Sequence, residues 1–360
     1  MALNGQSNTF MLAYQALGMV YGGLSITPLY LFSSLPFQAV TEDDYLGLLS
    51  IIFWTFTLIG GVKYALIVLY ADHNGEGGTF ALYTLLCKHL NMSPSTRSQP
   101  QDNHSSIVSR LSLWAGKSPM MNRFLFGMTM LATCMVIGDG ILTPAVSVLS
   151  AVEGLKIVSP TFSQGAEAMF ADLGHFKRQS IQLGFLLVVY PSNVITYAGL
   201  AAYLINNPKH QGQAFFRSTP TFIFWPMFIV STLAAIVASQ GLILACFSLV
   251  KQCVNLDCFP QVQIIHTSEK HRGQVYSPQV NYTLMILCIM VVLGFHDGSC
   301  LGNAYGVAVI LVMLATTVMF TMVMVVVWRI NALIALLFFL LFASMELFNL
   351  IAMLTKVPKE

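Results

Sequence analysis

Residues 134–152 read CMVIGDGILTPAVSVLSAV. The stretch is apolar or small throughout except for one carboxylate, Asp139, near its middle. About 20 such residues are enough to cross a bilayer as a helix. A bare charge at that depth costs a few kcal/mol at least, so ionisable groups there are rare and usually serve an ion or proton pathway. Gly138 and Gly140 flank the acid, and Pro144 follows. The pattern predicts a helix that breaks around a cation.

The whole chain supports the membrane reading. It has 360 residues, of which 56% are hydrophobic and 9% charged. Soluble domains carry about 25% charged residues. The formal net charge of +2 selects no partner. No basic patch with interleaved aromatics is present, so nucleic-acid binding is not expected. Residues 1–8, MALNGQSN, contain no Lys or Arg, so the first apolar run reads as a signal-anchor and first span. The seven Cys are scattered; Cys253 and Cys258 share a polar loop, yet no His stands at zinc-ligand spacing beside them. All seven are read as reduced thiols.

Eight segments are long and apolar enough to be spans: near 12–32, 46–70, 124–152, 180–204, 221–249, 282–300, 303–328 and 331–355. The sixth is the weakest, with His296 and Asp297 at its end. Polar loops at 71–123 and 250–281 are assigned to the cytoplasm, and no soluble domain is expected. Residues 154–179 are too polar for a clear span, with 157–178 read as the remnant of a half-span, yet charge favours a crossing. With an inner N-terminus and Lys63 set aside as intramembrane, no crossing leaves 9 Lys/Arg inside and 7 outside. One crossing gives 11 and 5. The positive-inside rule prefers the second.

The layout around Asp139 occurs twice. Gly22-Gly23-Leu24-Ser25-Ile26-Thr27-Pro28 parallels Gly138-Asp139-Gly140-Ile141-Leu142-Thr143-Pro144. Each proline frees the carbonyl four residues earlier, those of Leu24 and Gly140. Irregular backbone at membrane depth survives only when buried in protein or lining a watery cavity. Paired Gly/Pro-interrupted spans point to a transporter site. The bland alternative is a packed proline kink. The oxygens on offer are the hydroxyls of Thr27, Tyr30, Thr143 and Ser147, freed carbonyls and one carboxylate, a set suited to a weakly hydrated monovalent cation. Asp139, Thr143 and Ser147 follow one another at four-residue steps, so they share a helix face. Ser and Thr could instead bond back to their own helix.

Asp139 has two readings as a working group: a proton carrier, its carboxyl pKa raised by desolvation, or an ionised partner of the cation. A third is structural, protonated and hydrogen-bonded. Lys63 lies in GGVKYALIVLY. It either pairs with a carboxylate in the bundle or snorkels toward a water-filled vestibule, and the second is preferred. The glycines of ADHNGEGGTFALYTLL (71–86) lack the strand and GK[ST] ending of a phosphate loop. Glu167, Asp172 and His175 lack a second ligand cluster for a metal. An intramembrane aspartyl protease needs two facing carboxylates, and Asp139 shows no evident partner.

Together these strings resemble the KT/HAK/KUP potassium transporter family, its plant branch above all. They are LAYQALGMVYGGLSITPLY (12–30), KYALIVLYADHNGEGGTFALYTLLCKH (63–89), IGDGILTPAVSVLSAVEGLK (137–156) and GAEAMFADLGHF (165–176). QGLILACFSLVKQ (240–252) and GNAYGVAVI (302–310) extend the likeness over nearly the whole chain. The resemblance implies an all-α polytopic membrane protein with an incomplete LeuT-like (APC-type) inverted-repeat fold. It implies potassium uptake coupled to protons, with no enzymatic activity and no cofactor. Tyr30, Thr143 and Ser147 would be potassium ligands. Asp139 would be the charged partner of the ion or proton, and Glu167 would lie beside the site. The plasma membrane is the expected location, with the vacuolar membrane as the other candidate.

This chain departs from the family pattern. The family's first motif reads YGDLGTSPLY, with an Asp where Gly23 stands here. Between SAVEGLK and GAEAMF the family has two more spans and the first half of a broken one; here only IVSPTFSQ stands there, and Gln164 replaces an expected Thr. The chain ends at LTKVPKE, before the family's last span and cytosolic tail. A competing reading follows, a non-transporting membrane protein that associates with full-length transporters.

Overall fold

A computed structural model describes residues 41–73, 77–90, 119–153, 178–220, 222–266, 275–294 and 298–354, with backbone alone at a few positions, 145–153 and 298–305 among them. The architecture is helical. Helix α1 (Glu42–Tyr70) passes from α-helix through a π-helical stretch, Phe56–Ile67, into a 3₁₀ turn. Short α2 (Thr79–His89) leads to long α3 (Pro119–Glu153). Helix α4 spans 178–206, with its own π stretch at Phe185–Val189. After the brief α5 (Ala214–Ser218) come α6 (Phe224–Asn255), α7 (Pro278–Gly294), α8 (Gly298–Val326) and α9 (Ala332–Leu354). A two-stranded antiparallel ribbon pairs Ile265 with Tyr276 and His266 with Val275.

Among the described residues, six helices are long and apolar enough to cross a membrane: α1, α3, α4, α6, α8 and α9. The weakest sequence span corresponds to α7, 17 residues long, at the lower edge of spanning length. The expected first span lies outside the described residues. Much of the outer surface is apolar, as on α9, where Leu333, Leu337, Leu340 and Phe348 are exposed. A contiguous apolar surface of this kind is stable against acyl chains and not against water. The chain is therefore a multi-pass membrane protein.

Local chemistry sets several boundaries. Thr41 caps α1: its hydroxyl accepts from the Asp44 amide, and the Asp44 carboxylate accepts from the Thr41 amide at 2.9 Å, a reciprocal capping box. Helix α6 ends with the Cys258 amide bonded to the Cys253 carbonyl and the Asp257 amide to the Val254 carbonyl. Asp257 takes φ 54°, the left-handed position of a Schellman ending. Cys253 is thus the last turn of a helix rather than part of a loop.

The helices form two layers. In the first, α1 and α4 run antiparallel: the Gln182 side-chain amide donates to the Ala65 carbonyl at 2.8 Å, the Thr57 and Tyr190 hydroxyls meet at 2.8 Å, and Tyr45 packs near Leu204. The two π stretches face each other, with Phe56 stacked on Tyr190 and touching Phe185. In the second layer α3 is central and packs against α6, α7 and α8, while α8 also carries α9 and α2. Helices α3 and α6 are antiparallel, since Val136 meets Cys246 while Ala132 clusters with Leu249 and Cys253. The Gln252 side chain donates to the Gly77 carbonyl, which puts the end of α6 beside the start of α2. Helix α3 therefore leaves the bundle at the end opposite α2, whereas α4 starts at the α2 end.

Candidate functional site

The expected break at Gly138–Pro144 does not occur. Residues 119–153 form one continuous α-helix with Pro144 inside it. Membrane helices tolerate an internal proline because neighbours re-satisfy the freed groups. The glycine beside the acid has a different job from unwinding. A Cβ on Gly140 would lie 2.3 Å from Cys246 Sγ and 3.7 Å from the Leu242 carbonyl oxygen. Gly140 is the contact point of a close α3–α6 crossing, as small residues are in membrane bundles. Among the described residues nothing lies within 4 Å of a Cβ placed on Gly138.

Beside that crossing Asp139 keeps 5% of its surface and Thr143 keeps 2%. One helical turn separates them. The Thr143 hydroxyl donates to Asp139 Oδ1 at 2.5 Å. Elsewhere on α3 the hydroxyls do bond back to their own helix: Thr129 to the Leu125 carbonyl and Thr133 to the Thr129 carbonyl, both at 2.8 Å. Thr143 is the exception, its proton directed to the carboxylate.

Of the expected site residues, the structure brings together Asp139 and Thr143. Ser147 lies one turn further along α3, in a part described by its backbone alone. Tyr30 and Glu167, and with them Thr27, Asp172 and His175, lie outside the described residues.

Lys63 overturns the preferred reading. It does not snorkel to water. It is fully buried, and its Nζ lies 2.6 Å from Glu346 Oε1. The ammonium also donates to the Met313 carbonyl at 3.1 Å and sits 4.5 Å from the centre of the Tyr64 ring. The other carboxylate oxygen of Glu346 accepts from the Thr317 hydroxyl at 2.7 Å. Burial of two charges is tolerable because each has its counter-charge and further hydrogen bonds. The sequence reading left Glu346 unremarked inside ASMELFNL. Its signal was present: one acid in an apolar run, complementing one base in another.

The described helices and the buried acid sit in sequence that matches a known domain. The K+ potassium transporter integral membrane domain matches residues 10–165 and 161–360. The chain belongs to that potassium transporter family. The family is one of potassium transporters, not of enzymes. A rice protein (Oryza sativa subsp. japonica) named "Probable potassium transporter 17" is 42% identical over 445 residues, covering 97% of this chain and 63% of the relative. Potassium transporter 26 of rice is 41% identical, covering 96% of this chain and 60% of its own length. Potassium transporter 1 of Arabidopsis thaliana is 36% identical, covering 98% and 64%. The chain thus spans under two thirds of the length of these relatives. The alignment of 445 positions also exceeds the 360 residues available, so this relative carries internal sequence that the chain lacks. The two matched parts of the family domain meet at 161–165, where the sequence reading placed the missing spans.

Proposed function

We propose that this chain serves transmembrane potassium transport as proton-coupled uptake, with Asp139 as the charged group of the ion site. The observation that carries the reading is a carboxylate buried within an apolar helix of spanning length and hydrogen-bonded by Thr143, inside the residues matched by the family domain. Thr143 and Ser147 on α3, Tyr30 on the first span and Glu167 complete the proposed oxygen set around the cation. Asp139 is also the proposed proton-coupling group. The α2 end is proposed as cytoplasmic. The start of α4 and the end of α6 share that end, the arrangement that gathers more Lys and Arg inside.

The test is growth of a potassium-uptake-deficient cell on limiting potassium. The chain is expected to restore growth and Asp139→Asn to abolish the rescue. No rescue by the unaltered chain, with protein verified at the surface, overturns the reading.

A second reading is favoured by one observation, the internal sequence present in relatives and lacking here. A site walled by fewer spans exposes polar groups to lipid. On this reading the chain does not transport and associates with full-length transporters of the family. Co-purification with such a relative, together with failed rescue, selects it.

A further inference from the structure

The two layers meet through side chains, and one ion pair crosses the boundary. Lys63 comes from the π-helical stretch of α1. Its partners come from the other layer: Glu346 on α9, and the carbonyl of Met313 on α8, with Thr317 on α8 holding the second carboxylate oxygen. Around the pair lies an apolar seam in which Ile59, Tyr64 and Val68 of α1 and Phe185 of α4 pack with Met313, Phe320 and Phe342.

The two kinds of contact respond differently to separation. Apolar side chains gain little by staying together in a membrane, because lipid tails solvate them as well as a neighbouring helix does. Opposite charges in a low-dielectric interior are costly to pull apart until water reaches them. The seam can therefore slide at small cost, whereas the ion pair holds or releases. The π stretch strengthens the case: π-helical turns are uncommon and are frequently found at functional sites. Gly60, in the same stretch, lies so near Phe185 that a Cβ would sit 3.1 Å from its ring. Helix α1 is thus pressed closely to α4 on one side and joined by charge to α8 and α9 on the other.

We propose that Lys63 and Glu346 form a charge clasp that holds the α1–α4 layer closed against the α8–α9 side, and that its release is the step that lets one layer move on the other. The link to a transport cycle rests on the potassium-transport reading; the clasp itself does not.

The experiment measures the layers directly. Spin labels are carried on bioorthogonal side chains at Ile195 of α4 and Phe348 of α9, which are 71% and 70% exposed. The full chain is reconstituted in liposomes, and the distance distribution is read for wild type, K63M/E346M and K63Q/E346Q. Both double variants remove the charges together and leave neither bare. The expected result is one dominant distance in wild type and a second, longer one in the variants. The longer distance should rise from a minor population of at most about 10% to the majority. Unchanged distributions in both variants overturn the proposal. So does failure of both to fold, which would make the pair purely structural. Potassium flux in the same liposomes separates the two ideas. A distance shift without flux in any sample keeps the clasp and removes the transport reading. Flux with unshifted distances keeps transport and removes the clasp.

Discussion

Lys63 Nζ stands 2.6 Å from Glu346 Oε1, and neither side chain reaches the surface. The value of such a pair is asymmetric. Deleting one partner strands a buried charge, a loss of about 3–5 kcal/mol, whereas deleting both costs far less. Lys63→Met and Glu346→Gln should each lower the detergent-solubilised melting temperature, and K63M/E346M should recover most of it. Single variants melting with the wild type would show that the two charges are not energetically coupled.

Gly140 gives the sharpest packing prediction. Its missing Cβ is where Cys246 Sγ now sits, at 2.3 Å from the ideal position. Cys246 is fully buried and cannot swing away freely. Gly140→Ala should overpack the α3–α6 crossing and cost about 1–3 kcal/mol. Cys246→Ala, harmless or mildly destabilising alone, should relieve most of that cost in the double variant. A melting curve for Gly140→Ala equal to wild type would remove the crossing as the reason for glycine there. Gly138→Ala serves as the control, because none of the described residues lies within 4 Å of its Cβ position.

Thr143 separates an ion-site role from a helix-packing role. Its hydroxyl satisfies Asp139, not its own backbone. Thr143→Val keeps the shape and removes the proton donor. Hydrogen bonds to charged groups contribute about 1.5–3 kcal/mol, so potassium affinity should fall by roughly tenfold or more. Thr143→Ser should keep it. The measurement is the concentration dependence of potassium or rubidium uptake. Equal uptake by the Val and Ser variants would place Thr143 outside the ion site.

These cases show what the chain disclosed by itself. The spans were legible because bilayer thickness fixes the length of an apolar run, and α1, α3, α4, α6, α8 and α9 all follow that rule. The Gly138–Pro144 motif was misread as geometry. Proline at 144 frees a carbonyl in any helix, but whether the helix opens depends on what packs beside it. Here α6 lies against Gly140, and the helix stays whole. The Lys63–Glu346 pair was hidden for another reason. Its members are 283 residues apart, and nothing local in either segment names the other. Only the pairing of layers brings them together.

The thiols at the α2 end offer a test of sidedness. Cys87 on α2 and Cys258 just past α6 are both partly exposed. Both belong to the end where Gln252 joins Gly77. A membrane-impermeant maleimide should therefore reach both from the same face, the cytoplasmic one on the proposed orientation. Burial pushes the Cys87 thiol above its usual range, with a hydrogen bond from Tyr83 only partly opposing it. Cys258 is raised as well, by desolvation first and then by the neighbouring charge of Asp257. A raised thiol pKa means less thiolate at neutral pH, and the thiolate is the reacting form. Labelling of both should be slower than that of a free cysteine at neutral pH and should keep rising above about pH 10, where an ordinary thiol with a pKa of about 8.5 has levelled off. Mass spectrometry of right-side-out and inverted vesicles reads both results at once. Labelling of the two cysteines from opposite faces would break the helix order on which the α2 end is defined.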